Sequence, residues 1–394
     1  MPLRVLFLTP YYKPYLGGIE RVIERLSAGM RAQPDVEAVG VLTTHFAFPR
    51  KHLDGLPATE LIDGGVEVLR LPGRPHVAPP YFSVPLVWFP PGAIQAAIEH
   101  FRPTVLHWVG DGWFWGHYFS ARFAPAGTAV IFSPSFHTLT RDKFWLRPIN
   151  IALCRRADRV TALSTIEIER VRATYRVAPR KQILLPWAVD PDDNPAEPRE
   201  PNAPLTVLCV GRLGEHKNQA MLIDAFAAAL PRLLRPARLV LVGRDEGGEQ
   251  AIRRQVRALG LEDAVLITGE LTDAEVNGWY HRGDLFALFS HYEAFGLVFF
   301  EAMNASVPVL THRVGANAEL LREGAVLVPE NDTAAAAAAL VRLLGDAAER
   351  GRLGAAARRY ASAYTWPPVI DRFLTLYREA LAEREATLPP GSRQ

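Results

Sequence analysis

The chain has 394 residues, beyond the ~250–300 at which single hydrophobic cores stop growing, so two domains are expected. Its 49% hydrophobic and 22% charged residues make it an ordinary globular sequence, and a formal net charge of +2 gives no basic field for a nucleic-acid partner. The two cysteines, Cys154 and Cys209, lie in or beside apolar runs with no metal-ligand spacing between them, so both read as reduced and structural.

The chain runs from Met1 straight into Leu3-Arg4-Val5-Leu6-Phe7-Leu8, without the apolar region and cleavage site of a signal peptide, which predicts a first strand in a cytoplasmic protein. An apolar run at 5–9, a Pro/Gly loop, and Ile19, Val22, Ile23, Leu26 and Met30 at helical spacing give strand, loop and amphipathic helix. Further strands are expected at 39–43, 66–70, 104–109, 130–133 and 159–163, making the first half a parallel α/β domain with long loops. Residues 189–204 carry five prolines and no apolar periodicity, which reads as a linker.

The second half alternates more regularly, with strands expected at 206–210, 238–242, 265–268, 285–289, 307–311 and 325–328, each followed by a helical stretch. Thr272 and Glu275 form a capping-box pattern, and 332–345 is rich in alanine. The most apolar region, 285–303, is broken by His291, Glu293 and Glu301 and cannot span a membrane. After Trp366-Pro367-Pro368 a helix over 367–384 puts Ile370, Phe373, Leu374, Tyr377 and Leu381 on one face, and residues from about 386 read as a polar tail.

Ligands of open α/β sheets bind beyond the carboxyl ends of the strands. There the sequence places Gly211-Arg212-Leu213-Gly214-Glu215-His216-Lys217, then Gly243-Arg244-Asp245, then Gly269-Glu270. Two cations on a glycine-containing loop suit a diphosphate, although a solvated turn would look the same, and glycine at three successive strand ends allows close backbone approach. The segment Ser290-His291-Tyr292-Glu293-Ala294-Phe295-Gly296-Leu297 leaves a strand, turns at Gly296 and enters a helix whose first amides suit an anion. Glu293 and Glu301 are eight residues apart; over eight helical steps they would be separated by ~12 Å of rise and ~80° of rotation, so they do not flank one carbon as the carboxylates of a retaining glycosidase do. One carboxylate at sugar hydroxyls and the other at a ribose fits better, against the plainer reading of a loop and a helix-surface glutamate.

On these residues, with Gly17-Gly18-Ile19-Glu20-Arg21, Val210-Gly211-Arg212, Lys217, Ala302-Met303, Pro308-Val309, Gly315, Glu319 and Trp366, the chain resembles the family 4 glycosyltransferases, retaining enzymes of the GT-B fold, over nearly its whole length. The resemblance implies two Rossmann-like α/β domains facing across a cleft: an N-terminal acceptor domain at 1–188, the linker, a nucleotide-sugar domain at 205–362, and a helix at 363–385 crossing back before the tail at 386–394. It implies that Arg212 and Lys217 bind the donor diphosphate, Glu293 the transferred sugar and Glu301 the ribose, with Gly17, Gly18, Gly211, Gly243, Ala294, Phe295, Gly296 and Leu297 lining the donor site. His137 matches the family's strand-end histidine that approaches the sugar. The family's Asp and paired histidines near 104–109 are replaced by Thr104-Val105-Leu106-His107-Trp108-Val109, so His107 reads as structural rather than functional, and Ala294 stands for a family glycine.

With no second carboxylate at the anomeric carbon, retention implies front-face displacement, with Arg212 and Lys217 stabilising the leaving diphosphate in place of a metal. No cofactor is expected beyond the nucleotide-sugar co-substrate, since the D-x-D match Asp190-Pro191-Asp192 lies in the linker. Tyr81, Phe82, Trp88, Phe89, Trp108, Trp113, Phe114 and Trp115 could stack on a saccharide or lipid-linked acceptor, or simply fill the core. The basic and aromatic stretch from Arg141 to Arg156 suits peripheral contact with the cytoplasmic membrane face as well as a buried helix with a basic rim. A nucleotide-sugar epimerase of the same architecture and a non-catalytic sugar-nucleotide-binding protein are the competing readings.

Overall fold

A computed structural model of the chain describes residues 2–15, 17–47, 51–75, 87–88, 90–110, 114–134, 146–192 and 203–387. The chain forms two compact units, Met1–Ala188 with Trp366–Gln394, and Val189–Thr365.

The first unit holds an eight-stranded sheet of β1 (Leu3–Leu8), β2 (Val36–Thr44), β3 (Thr59–Ile62), β4 (Val66–Leu71), β5 (Val105–Val109), β6 (Ala129–Ser133), β7 (Arg159–Ala162) and β8 (Gln182–Leu184), in the order β8-β7-β6-β5-β1-β2-β4-β3. The helices α1 (Gly18–Arg31), α2 (Pro91–Phe101), α3 (Phe114–Phe123), α4 (Leu146–Arg156) and α5 (Thr165–Tyr175) complete its α/β alternation. All pairings are parallel except that of β3 with β4. The expected all-parallel sheet is corrected here by a hairpin through Asp63-Gly64-Gly65, whose φ angles of 45°, 76° and 106° suit glycine at the last two positions. β8 is the other strand without a counterpart in the sequence reading; at three residues it is too short to show a pattern.

In the second unit β9 (Leu205–Val210), α6 (Gln219–Ala229), β10 (Ala237–Val242), α7 (Glu249–Ala258), β11 (Val265–Gly269), α8 (Asp273–Arg282), β12 (Leu285–Ala287), α9 (Leu297–Asn304), β13 (Val309–His312), α10 (Asn317–Leu320) and β14 (Ala325–Val328) alternate, followed by α11 (Thr333–Gly345) and α12 (Ala347–Ala361). The sheet is wholly parallel in the order β11-β10-β9-β12-β13-β14. The direction of winding reverses between β9 and β12. Thr272, Asp332 and Asp346 cap α8, α11 and α12 through their side chains, satisfying amides that a helix cannot pair internally. β13 starts two residues later than expected because the Val307 amide donates to Ala302 O at 2.9 Å and so still belongs to the end of α9.

The second unit begins inside the segment read as linker. Val189 N donates to Tyr364 O at 3.1 Å, Asn304 Nδ2 to Asp190 O at 2.9 Å and Arg358 Nη2 to Asp192 O at 3.0 Å, while Asp192 Oδ2 lies 3.0 Å from His281 Nε2. Residues 193–202 lie outside those described.

The last helix, α13 (Trp366–Thr387), returns to the first unit and packs on α1 and β6. Its buried residues are Val369, Ile370, Phe373, Leu374, Leu376, Tyr377 and Ala380; Leu381, expected on this face, is only partly covered. A Cβ on Gly29 would fall 2.2 Å from Ile370 Cδ1, so glycine there lets α1 and α13 approach. His107, on the central strand β5, lies under this helix with both ring nitrogens engaged: Nδ1 to Tyr377 Oη at 2.6 Å and Nε2 to Ser133 Oγ at 2.7 Å, which in turn meets Thr161 Oγ1 at 2.5 Å. A neutral imidazole offers one donor and one acceptor, and this chain of hydroxyls uses both. Burial pushes the His107 pKa down to about 3, so the ring is a neutral structural link, in accord with its sequence reading. Trp108, a candidate acceptor aromatic, is instead core: its ring is fully buried beside His117 and its Nε1 donates to Ser120 Oγ at 3.0 Å. Both cysteines are free and buried, with their thiols pushed up to about 12.

Tyr377→Phe, which leaves a buried ring nitrogen without its partner, is expected to cost about 1–3 kcal/mol in urea unfolding. Because the folded pKa of His107 lies below its unfolded value of 6.5, the stability linked to its neutral form is present above pH 6.5 and is lost as pH falls towards about 3. The stability gap between wild type and His107→Gln should therefore narrow over that range.

Candidate functional site

The site grows from the crevice between β9 and β12, where the winding of the second sheet reverses and a ligand can reach the strand ends. The loop leaving β9 is held to its neighbour by backbone. Gly211 N donates to Val242 O at 2.9 Å, Leu213 N to Arg244 O at 2.8 Å and Glu246 N to Leu213 O at 2.9 Å. Gly243 takes a φ of 151°, and a Cβ there would fall 2.1 Å from Gly211 O, so only glycine lets the two strand ends meet. Gln219, itself 2% exposed, donates from Nε2 to Arg212 O at 2.9 Å. A single 3-10 turn, Glu215–Lys217, then brings Lys217 back over the crevice.

The loop leaving β12 meets it from the other side. His291 N donates to His216 O at 3.0 Å, and Lys217 Nζ lies 2.6 Å from Glu293 Oε1, with the two side chains only 15% and 11% exposed. Burial pushes the Glu293 carboxyl up, but the Lys217 charge and hydrogen bond, helped by Ser290 and His216, outweigh it and hold the pKa below the ordinary value. Glu293 is therefore ionised at neutral pH. The sequence reading gave Lys217 and Glu293 separate partners; the structure makes them partners of each other.

Gly296 turns the chain with φ 76°, and α9 begins at Leu297, which puts Glu301 one turn into the helix, as expected. Glu301 Oε2 accepts from Tyr280 Oη at 2.8 Å, so it is held toward α8 rather than lying as a plain surface glutamate. Ala294 and Phe295 are 9% and 2% exposed, and the Phe295 ring stacks on Phe300 at 4.5 Å, so the side chains of these two site candidates are packed in the core. Gly315, at φ 53°, would place a Cβ 2.9 Å from Glu293 O; its lack of one lets the loop after β13 pass behind the glutamate.

Other candidates lie elsewhere. Gly17 and Gly18 open α1 in the first unit, where Gly17 N donates to Glu20 Oε2 at 2.9 Å. His137, Tyr81, Phe82, Phe89, Trp113 and the stretch from Arg141 to Trp145 lie outside the described residues, as do the side chains of Trp88, Phe114 and Trp115. Glu246, whose Oε1 is 2.8 Å from Arg212 Nη1, was absent from the sequence reading, as were Gln219 and Tyr280. No spacing rule connects residues 34 apart on neighbouring strand ends.

The profile of Glycosyl transferases group 1 matches residues 190–360, and that of Glycosyltransferase Family 4 matches residues 16–193. The chain belongs to the family 4 glycosyltransferases. The chain is 27% identical over 390 residues to the GDP-mannose:cellobiosyl-diphosphopolyprenol alpha-mannosyltransferase of Komagataeibacter xylinus, covering 96% of this chain and 94% of that one. It is 32% identical over 256 residues to the D-inositol 3-phosphate glycosyltransferase of Kineococcus radiotolerans, a match to 58% of this chain that spans only 59% of the relative's length. Sucrose-phosphate synthase from Thermosynechococcus elongatus superposes over 97% of this chain and 100% of its own with a TM-score of 0.74 at 20% identity, which shows a shared GT-B fold. Among the described residues no helix is long and apolar enough to cross a membrane.

Gly243→Ala is expected to destabilise the second unit by more than Gly247→Ala in chemical denaturation. Both positions have positive φ and carry a conformational penalty of ~1–2 kcal/mol, but only at Gly243 would the new methyl strike backbone.

Proposed function

We propose that this glycosyltransferase moves a hexose from a nucleoside-diphosphate donor to a hydroxyl of a saccharide, lipid-linked or small-molecule acceptor, with retention of anomeric configuration. The observation that carries the reading is the Lys217–Glu293 pair across the winding reversal of the second sheet. A shielded ammonium suits a diphosphate, and a carboxylate kept ionised beside it can accept two sugar hydroxyls. Arg212 adds a second cation from the same loop, and Glu301, held by Tyr280, suits the hydroxyls of a ribose. Gly17, Gly18 and His137 are assigned to the donor by resemblance alone.

In the proposed step the acceptor oxygen attacks C1 on the face from which the diphosphate departs. The C1–O bond to the diphosphate breaks, and the acceptor proton passes to a leaving phosphate oxygen. Arg212 and Lys217 stabilise the charge that develops there, so the chemistry calls for no resident metal or cofactor. The named relatives act on a cellobiosyl-diphosphopolyprenol and on D-inositol 3-phosphate, which makes lipid-linked oligosaccharides and phosphorylated polyols the first acceptors to try.

Lys217→Met is expected to lower kcat by ~100–1000-fold in a transfer assay, with Glu293→Gln also strongly impaired. Wild-type rates in both variants would refute the site. In Lys217→Met the burial of Glu293 loses the two strongest interactions that oppose it, leaving only Ser290 and His216, so any residual activity should lose its acid limb at a higher pH than wild type. Chelation by EDTA should leave wild-type turnover unchanged, and NMR of the product should show the anomeric configuration of the donor; an inverted product would contradict the front-face step.

A further inference from the structure

Arg212 and Lys217 share one loop, and each meets a carboxylate from a different neighbouring strand. Lys217 is matched by Glu293 from beyond β12, and Arg212 by Glu246 from beyond β10, with Arg212 Nη1 2.8 Å from Glu246 Oε1. The first pair has a place in the proposed reaction. The second has none, although its carboxylate is only 13% exposed while the arginine is 40% exposed. A half-exposed arginine side chain otherwise samples many rotamers, and ordering it at the moment of binding costs affinity.

The surroundings of Glu246 are built to hold it still. Its amide donates to Leu213 O at 2.9 Å, and Gly248 N reaches the same carbonyl at 3.1 Å. A Cβ on Gly248 would lie 2.8 Å from that carbonyl oxygen, so the turn and the β9 loop are in backbone contact. Asp245 Oδ1 closes the turn by accepting from Gly247 N at 2.8 Å and Glu249 N at 2.9 Å, which joins it to the start of α7. On the other loop the Arg212 carbonyl is fixed by Gln219. The arginine is thus anchored at its backbone and at its guanidinium, by two loops that are themselves locked together.

We propose that Glu246 is a positioning residue: it orients the Arg212 guanidinium for the diphosphate of the donor and so sets donor affinity through Arg212. The inference rests on the assignment of Arg212 to the diphosphate. The forked guanidinium can meet a carboxylate along one edge and phosphate oxygens along another, so the pair with Glu246 directs the cation without consuming it.

The test is isothermal titration of the full chain with UDP, GDP and ADP, comparing wild type, Arg212→Ala, Glu246→Ala, Glu246→Gln and the double variant Arg212→Ala/Glu246→Ala, together with KM and kcat for transfer. Glu246→Ala is expected to weaken binding of the preferred nucleoside diphosphate by about tenfold and to raise donor KM with little change in kcat. Glu246→Gln, which keeps an acceptor for Nη1, should stay within about threefold of wild type. In the Arg212→Ala background the loss of Glu246 should add nothing. An equal cost of Glu246→Ala with and without Arg212 would mean a general loop effect, and tighter binding by Glu246→Ala would make the carboxylate a competitor of phosphate; either result overturns the proposal. If Arg212→Ala weakens binding and Glu246→Ala does not, this proposal fails and the diphosphate assignment stands. If Arg212→Ala itself leaves binding unchanged, both fall.

Discussion

The contact on which the site depends is a lysine held by a glutamate across the line where a parallel sheet reverses its winding. A buried carboxylate would ordinarily take up a proton, because charge is costly away from water. Lys217 prevents this at Glu293, and the charge it supplies is also the charge a diphosphate would seek. One interaction therefore keeps an acid ionised for hydroxyl groups and holds a cation in place for phosphate. Gly243 and Gly315 serve it by letting backbones approach, since each has positive φ and a Cβ there would meet a neighbouring carbonyl oxygen, and Gly296 supplies the positive φ that turns the chain into α9. The same logic extends one strand further, to Glu246 and Arg212.

The first unit is organised around a different constraint. β5 is buried on both faces, so the polar atoms of His107 needed internal partners, and Tyr377 and Ser133 supply them. One partner lies 270 residues further along the chain, on α13, so the hydrogen bond joins α13 to the central strand β5. Arg372 reinforces this by donating from Nη2 to Leu184 O at 2.7 Å, and Arg159 by pairing with Glu383. The apolar face of α13 and this polar thread act together: packing supplies the adhesion, and the histidine fixes the register.

Much of this was legible in the sequence because local patterns carried it. The turn at Gly296 followed by an apolar helix placed Glu293 in the loop and Glu301 one turn inside, and the capping box at Thr272 formed as read. The face of α13 was recovered apart from Leu381, since the helix turns its covered side to Ala380 there. The β3–β4 hairpin had a signal in Asp63-Gly64-Gly65 that the apolar runs obscured. What periodicity could not reveal were pairings between strand ends. Lys217 meets Glu293 at a separation of 76 residues and Arg212 meets Glu246 at 34, distances set by sheet order and not by any spacing in the chain. Trp108 stayed open between stacking and core for a related reason: an aromatic near a strand end looks available until the strand proves to be buried on both sides.

The most direct test of the central claim is to exchange the two charges, making Lys217→Glu and Glu293→Lys in one chain, and to measure thermal stability beside nucleoside-diphosphate binding. The ion pair survives the exchange while the cation moves to the position assigned to the sugar. Stability should recover towards wild type relative to Lys217→Glu alone, and binding of UDP, GDP or ADP should remain weakened by more than about 100-fold. An exchanged chain that binds nucleoside diphosphate and transfers sugar as wild type does would show that the position of the cation is immaterial, and would contradict the account.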